Sequence, residues 1–288
     1  MKKMSKSLSI LLLIAAQILA GSENSKGHLF IIGGGDRSPE LMNKYFELVG
    51  DYDSKIVIIP MASSVPLEVA QEQKEEFIKL GCKNVDFIYC DNITADVDSN
   101  LLKMENVKAV FFSGGDQARL TAALLGTKLL EKIKKVYNEG GVVGGTSAGA
   151  AIMSEVMITG DELINKDKED FFIAIQKGNI KTTEGFGFVK TGIIDQHFVL
   201  RKRLNRLISV VLEHPNLLGI GIDESTAIIV NPDSTFEVAG ERTVLIFNAT
   251  DAKDIRTNKE GLLSASGIKL DILQSGEKYN LKQKCVIK

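Results

Sequence analysis

Ser147 lies in GGTSAGA, residues 144–150, a single hydroxyl among residues with almost no side chain. Residues 145–149 fit G-x-S-x-G, the sharp strand-to-helix turn that lifts a nucleophile clear of its own backbone. A Cβ at Gly145 or Gly149 would collide across so tight a turn. The Ala148 amide would open the following helix and point at the space in front of the hydroxyl, where an oxyanion could be held. A structural Gly/Ser turn or a phosphate cradle could carry the same letters. The flanks favour a nucleophile, because GGVVGG reads as the strand and AGAAIMSEVM as the helix.

Such a serine needs a base, and the chain has three histidines. His28 opens the first strand and His214 lies in EHPN, a helix-ending turn, so both read as surface residues. His197, in GFVKTGIIDQHFVLRKRLNRL, ends an apolar strand that enters a helix, and by elimination it is the general base. The acid that orients it is open among Asp161, Glu162, Asp167, Glu169 and Asp170 in ITGDELINKDKEDF, one of which must turn inward. Asp116 and Gln117 stand at a strand-to-helix turn whose amides could complete the oxyanion site. Asp195 and Gln196 precede the histidine; Arg201, Arg203 and Arg206 follow it. On a helix Arg203 and Arg206 would share a face, with Arg201 one turn beyond His197. Guanidinium groups there could grip a substrate carboxylate bidentately. The chemistry these residues support is acyl transfer through a serine ester.

Positioning them takes a particular scaffold. HLFIIGGG, SKIVIIPMASS, NVDFIYC, AVFFSGGD and GGVVGG are apolar runs, several of which end in small residues. Helical stretches separate them: SPELMNKYFELVG with Ser38 as N-cap and Pro39 in the first turn, PLEVAQEQKEEFIKLG stopping at Gly81, and ARLTAALLGTKLLEKIKKVYNEGG. This alternation predicts an α/β fold, a mostly parallel sheet with helices on both faces, and its continuous apolar strands fit burial on both sides. Glycine-rich turns at 33–36, 113–116 and 144–150 should meet at the C-terminal rim, where such sheets bind ligands. Past about residue 220, short strands between turns predict C-terminal β-hairpins added to one sheet edge. Residues 23–288 read as one domain.

The whole chain has 288 residues, 44% of them hydrophobic and 25% charged, with a net charge of −2, which gives no electrostatic case for a nucleic-acid partner. Residues 1–22 place Lys2, Lys3 and Lys6 before an apolar block and Ala20-Gly21-Ser22, the order of a secretory signal peptide; an uncleaved anchor is the alternative. Export to the periplasm or beyond is therefore expected, with no membrane association after cleavage. Cys82, Cys90 and Cys285 are an odd set; Cys82 and Cys90 flank a strand that would hold them about 20 Å apart, so free thiols are expected.

GGGDRS, IIPMASS, FFSGGDQARL, GGTSAGA, DQHFVLRKRL and GIGIDESTAIIV, in this order and across nearly the whole mature chain, resemble the cyanophycinase family of S51 serine peptidases, which also include aspartyl dipeptidase. The resemblance implies a fold related to class I glutamine amidotransferases, a homodimer, and neither metal nor cofactor. It implies an exopeptidase on cyanophycin or related β-aspartyl peptides that releases β-Asp-Arg. Ser147 and His197 would be nucleophile and base, with Glu162 as third member and Asp161 as its rival. Gly114, Gly115 and Ala148 would hold the oxyanion, and Gln117, Asp195, Gln196, Arg201 and Arg203 the substrate. An α/β-hydrolase esterase shares G-x-S-x-G, but places its histidine near the C-terminus and needs an oxyanion loop absent here. A dinucleotide module lacks its third glycine. A non-catalytic binder on this fold is the remaining alternative.

Overall fold

The computed structural model describes residues 25–165 and 172–288. The expected signal segment lies outside the described residues, as do Asp167, Glu169 and Asp170. Strands β1 (His28–Ile32), β2 (Lys55–Ile59), β3 (Val85–Phe87), β4 (Val107–Phe112) and β5 (Val142–Thr146) run parallel in the order β1-β5-β4-β2-β3. Their continuous apolar runs are explained by two-sided burial. Leu29 and Ile31 enter one core cluster while Phe30 and Ile32 enter the other, on the opposite face of the sheet.

Several of the connecting helices start at side-chain caps. Ser38 accepts the Leu41 N–H at 3.3 Å to open helix Pro39–Val49, which ends at Gly50 with φ 91°. The long helical stretch after β4 is two helices, Gln117–Leu124 and Lys128–Asn138, broken where Gly126 takes φ 77° and Thr127 caps the second by accepting from Leu130 N–H. Cys82, Cys90 and Cys285 are free, and burial pushes the Cys82 and Cys90 thiols up to about 11.

The second half departs from a simple edge extension. It contains β6 (Val156–Glu162), β7 (Ile180–Glu184), β8 (Gly192–Asp195), β9 (Leu218–Ile222), β10 (Thr226–Val230), β11 (Thr235–Gly240), β12 (Val244–Asn248), β13 (Lys253–Thr257), β14 (Leu263–Ser266), β15 (Lys269–Leu273), β16 (Lys278–Asn280) and β17 (Cys285–Ile287). Strands β10, β11, β16 and β17 extend the main sheet antiparallel beyond β1, as the hairpin reading expects. Strands β15, β12, β9 and β8 instead form a separate four-stranded sheet. Leu218, Ile220 and Ile246 of that sheet enter the main core, while Ile193, Leu245 and Phe247 pack with Leu207, Val210 and Val211 of helix Leu204–Glu213. No described helix is long and apolar enough to cross a membrane.

Candidate active site

β1, β5 and β4 are neighbours, so their glycine-rich turns emerge side by side at the C-terminal rim. Ser147 follows β5 with φ 53° and ψ −108°, a strained conformation for a residue with a Cβ, and its N–H donates to the Ile32 carbonyl at 3.0 Å. The two motif glycines are needed for close approach. A Cβ at Gly145 would lie 2.4 Å from the Gly149 carbonyl oxygen, and one at Gly149 would lie 2.4 Å from that of Phe112. The helix behind the serine is only Ala148–Ala151, shorter than the sequence suggests. The Ile152 and Met153 carbonyls accept from Phe186 and Val189 N–H instead, and the chain enters β6.

His197 lies beyond β8 with φ 50°, held by its N–H donating to the Gly33 carbonyl at 2.7 Å. Its Nε2 is 2.8 Å from Ser147 Oγ. Its Nδ1 is 2.5 Å from Glu224 Oε1, and Glu224 stands in the turn between β9 and β10. A nucleophile, a base and an orienting carboxylate thus form one unbroken line. Burial lowers the His197 pKa from the ordinary imidazole value, more than the Glu224 hydrogen bond raises it, and the Arg201 and Arg203 charges add to the lowering. A neutral, proton-accepting imidazole is favoured.

The GGG turn after β1 makes room for this pair. Gly34, at φ 104°, faces the imidazole so closely that a Cβ would fall 2.2 Å from His197 Cε1. Gly35, at φ 73°, would put a Cβ 2.7 Å from that of Glu224. The Gly34 carbonyl accepts from Ser225 N–H at 2.8 Å, tying the acid's turn to the same loop. Gly34→Ala is therefore expected to displace the imidazole and lower kcat about a hundredfold or more, because an ångström of misplacement costs that much. Circular dichroism should show the fold retained; a fully active Gly34→Ala chain would contradict the packing.

The acids named from sequence order are elsewhere. Glu162 is buried at the end of β6, where Oε2 accepts from Phe172 N–H at 2.9 Å and Oε1 from Asn179 Nδ2 at 2.7 Å. Both oxygens are engaged away from the imidazole, so Glu162 is corrected as the orienting acid. Asp161 is exposed and pairs with Lys181 at 3.4 Å. Sequence order does not point to Glu224, which lies beyond the interval between serine and histidine where the acid is expected. The available signal was an acid-bearing turn, DES, between the apolar runs GIGI and TAIIV.

Around the serine, a Cβ at Gly114 would lie 3.5 Å from that of Ser147, and the backbone amides of Gly114, Gly115 and Ala148 donate to no acceptor among the described residues. Such free donors suit a developing oxyanion. Of the expected substrate groups, Arg201 is half exposed, with Nε 3.6 Å from Glu224 Oε1. The segment from His197 to Arg203 is turns, and the helix begins only at Leu204. Arg203 Nη1 donates to the Gln196 carbonyl at 2.7 Å and to its side-chain oxygen. Asp195 is wholly buried, gripped bidentately by Arg206 and accepting the Gln196 N–H at 2.8 Å. It supports the histidine's turn and is not open to a ligand. Gln117 donates its amide to the Ile158 and Thr159 carbonyls at 2.8 and 2.6 Å, which leaves only its oxygen for other contacts.

Comparison with known proteins agrees with the family that the sequence motifs resemble. The model of peptidase family S51 matches residues 29–238. A cyanophycinase from Synechococcus elongatus is 32% identical over 280 residues, covering 91% of this chain and 83% of the relative. A cyanophycinase from Geminocystis herdmanii is 32% identical over 265 residues, covering 89% and 94%. Among solved structures, a peptidase from an acI-B1 actinobacterium is similar in fold, with a TM-score of 0.65 at 23% identity over 90% of this chain and 98% of that one. With the family model spanning most of its length and relatives of this identity along nearly all of it, the chain belongs to peptidase family S51.

Proposed function

We propose that this chain is a serine exopeptidase that hydrolyses cyanophycin, or related β-aspartyl peptides, to β-Asp-Arg dipeptides through an acyl-enzyme on Ser147. The observation that carries this reading is the line Ser147 Oγ–His197 Nε2–Glu224 on a strained elbow. His197 Nε2 takes the hydroxyl proton as Oγ bonds to the scissile carbonyl carbon, and Glu224 holds the imidazolium that results. The negative oxygen forms against the free amides of Ala148 and of Gly114 or Gly115. The C–N bond then breaks, and the departing amine leaves with the proton from Nε2. Water, deprotonated by the same imidazole, cleaves the ester and restores Ser147.

Arg201 and Arg203 would fix a carboxylate of the terminal unit, which accounts for an exo mode of attack. The names of the relatives support cyanophycin as the polymer. The signal pattern in residues 1–22 supports export, so the enzyme would meet polymer released by other organisms, and the family resemblance supports a homodimer. The same export pattern favours a second reading, an aspartyl dipeptidase acting on exported acidic peptides. Digestion of insoluble cyanophycin, β-aspartyl peptides and α-aspartyl peptides by the purified mature chain separates the two. Release of β-Asp-Arg from the polymer is expected; cleavage confined to short α-aspartyl peptides would overturn the first reading.

A further inference from the structure

The rim holds a cavity of about 490 Å³ that the serine, histidine and glutamate do not line. Its walls come from the ends of adjacent strands: Ser63 after β2, Tyr89, Asp91 and Ile93 after β3, and Arg119 from helix Gln117–Leu124 after β4. The turn at Gly114 and Gly115 stands between it and the nucleophile. Asp116 N–H donates to the Ala62 carbonyl at 2.9 Å, and a Cβ at Gly115 would fall 2.1 Å from that oxygen. The preceding Gly114 faces Ser147. The serine and the cavity therefore flank one two-glycine turn, whose exposed Gly115 carries no side chain to obstruct an extended chain passing over it.

The cavity's chemistry is mixed in charge. Arg119 is exposed and anchored by Nη1 donating to the Ser63 carbonyl at 3.0 Å, and it forms no ion pair among the described residues. Asp91 is exposed, accepts from Thr94 N–H and Oγ1 through Oδ1, and forms no ion pair among the described residues. Tyr89 is 53% exposed and Ile93 is 88% exposed, which leaves apolar surface in water beside two charges. A ligand that satisfies all of these carries a carboxylate for Arg119, a cation for Asp91 and the face of Tyr89, and an aliphatic stem for Ile93.

We infer that this cavity is a second substrate subsite, taking the arginyl side group of a neighbouring unit while the unit to be cleaved lies at Ser147. An arginyl group joined through its α-amine offers a free carboxylate and a guanidinium on one flexible stem. A plain polyaspartate chain would meet Arg119 but set its charge against Asp91. The inference rests on the proposed function, and it makes affinity grow with chain length.

The test is equilibrium binding of soluble Asp-Arg oligomers of two and of four units to the Ser147→Ala chain. The four-unit oligomer is expected to bind about tenfold more tightly, the worth of one charge-assisted contact. Arg119→Ala and Tyr89→Ala, each added to Ser147→Ala, should bring the ratio of the two affinities towards one. Exposed positions make both substitutions compatible with folding, which melting curves check. A length advantage that persists undiminished in both variants would overturn the subsite while leaving the function standing. A wild-type chain inert to cyanophycin overturns the function independently, and failure of both oligomers to bind overturns the two together.

Discussion

Ser147→Ala, His197→Ala and the double variant are each expected to lower kcat/KM by about a million-fold, and by nearly the same amount. The hydroxyl and imidazole are 2.8 Å apart and share one proton, so removing either leaves the other with nothing to do. Non-additivity distinguishes this unit from two separate binding residues, whose losses would multiply. Alanine tolerates φ 53° no better than serine does, so the elbow's strain is unchanged in Ser147→Ala and its melting temperature should stay close to wild type. A residual rate above that of water is expected from the free amides of Gly114, Gly115 and Ala148. A serine-directed inhibitor should label the wild type and neither single variant. A His197→Ala chain within tenfold of wild type would end the acyl-transfer mechanism.

The parts of this site differ in how far sequence could reach them, and the cause is the range of the contact involved. Ser147 was legible because its turn is local: glycines two residues to either side mark it, and Gly145 must admit the backbone of Gly149. The parallel core was legible because IVII, residues 56–59, and AVFF, residues 109–112, can be continuously apolar only when both faces are covered. His197 followed from scarcity. The short helix Ala148–Ala151 and the late start of helix Leu204–Glu213 were not legible, since the backbone groups there bond to distant loops that local propensity does not see. Glu224 depends on topology. β9 pairs in parallel with β8 in the four-stranded sheet, with Asp195 opposite Gly221, and β10 then crosses to the main sheet to pair with β1. His197, two residues past Asp195, and Glu224, three past Gly221, therefore emerge together. No spacing rule along the chain encodes that juxtaposition; the register of two sheets does.

That assignment yields a sharp contrast between two glutamates. Glu224→Gln is expected to lower kcat/KM by about ten-thousand-fold, the loss that the corresponding change produces in the Ser-His-Asp template. A carboxylate can only accept, so it holds the Nδ1 proton and leaves the Nε2 lone pair facing Ser147. A carboxamide can present its NH2 group to Nδ1, which favours the tautomer with the proton on Nε2, and it gives no charge to balance the imidazolium. The pH profile supplies a second readout. Activity requires neutral His197, so kcat/KM falls as pH drops through its pKa, which burial already places below the ordinary imidazole value. The Glu224 hydrogen bond opposes that lowering, so its removal should move the acid limb of the variant to still lower pH. Glu162→Gln should behave otherwise: it weakens the contacts to Phe172 and Asn179, costs about 1–3 kcal/mol of stability, and leaves kcat/KM within roughly tenfold of wild type with its acid limb in place. Were Glu162→Gln the inactive variant and Glu224→Gln the active one, the orienting acid would have to be sought outside the line seen here, and the β9–β10 turn would be left with a buffering role at most.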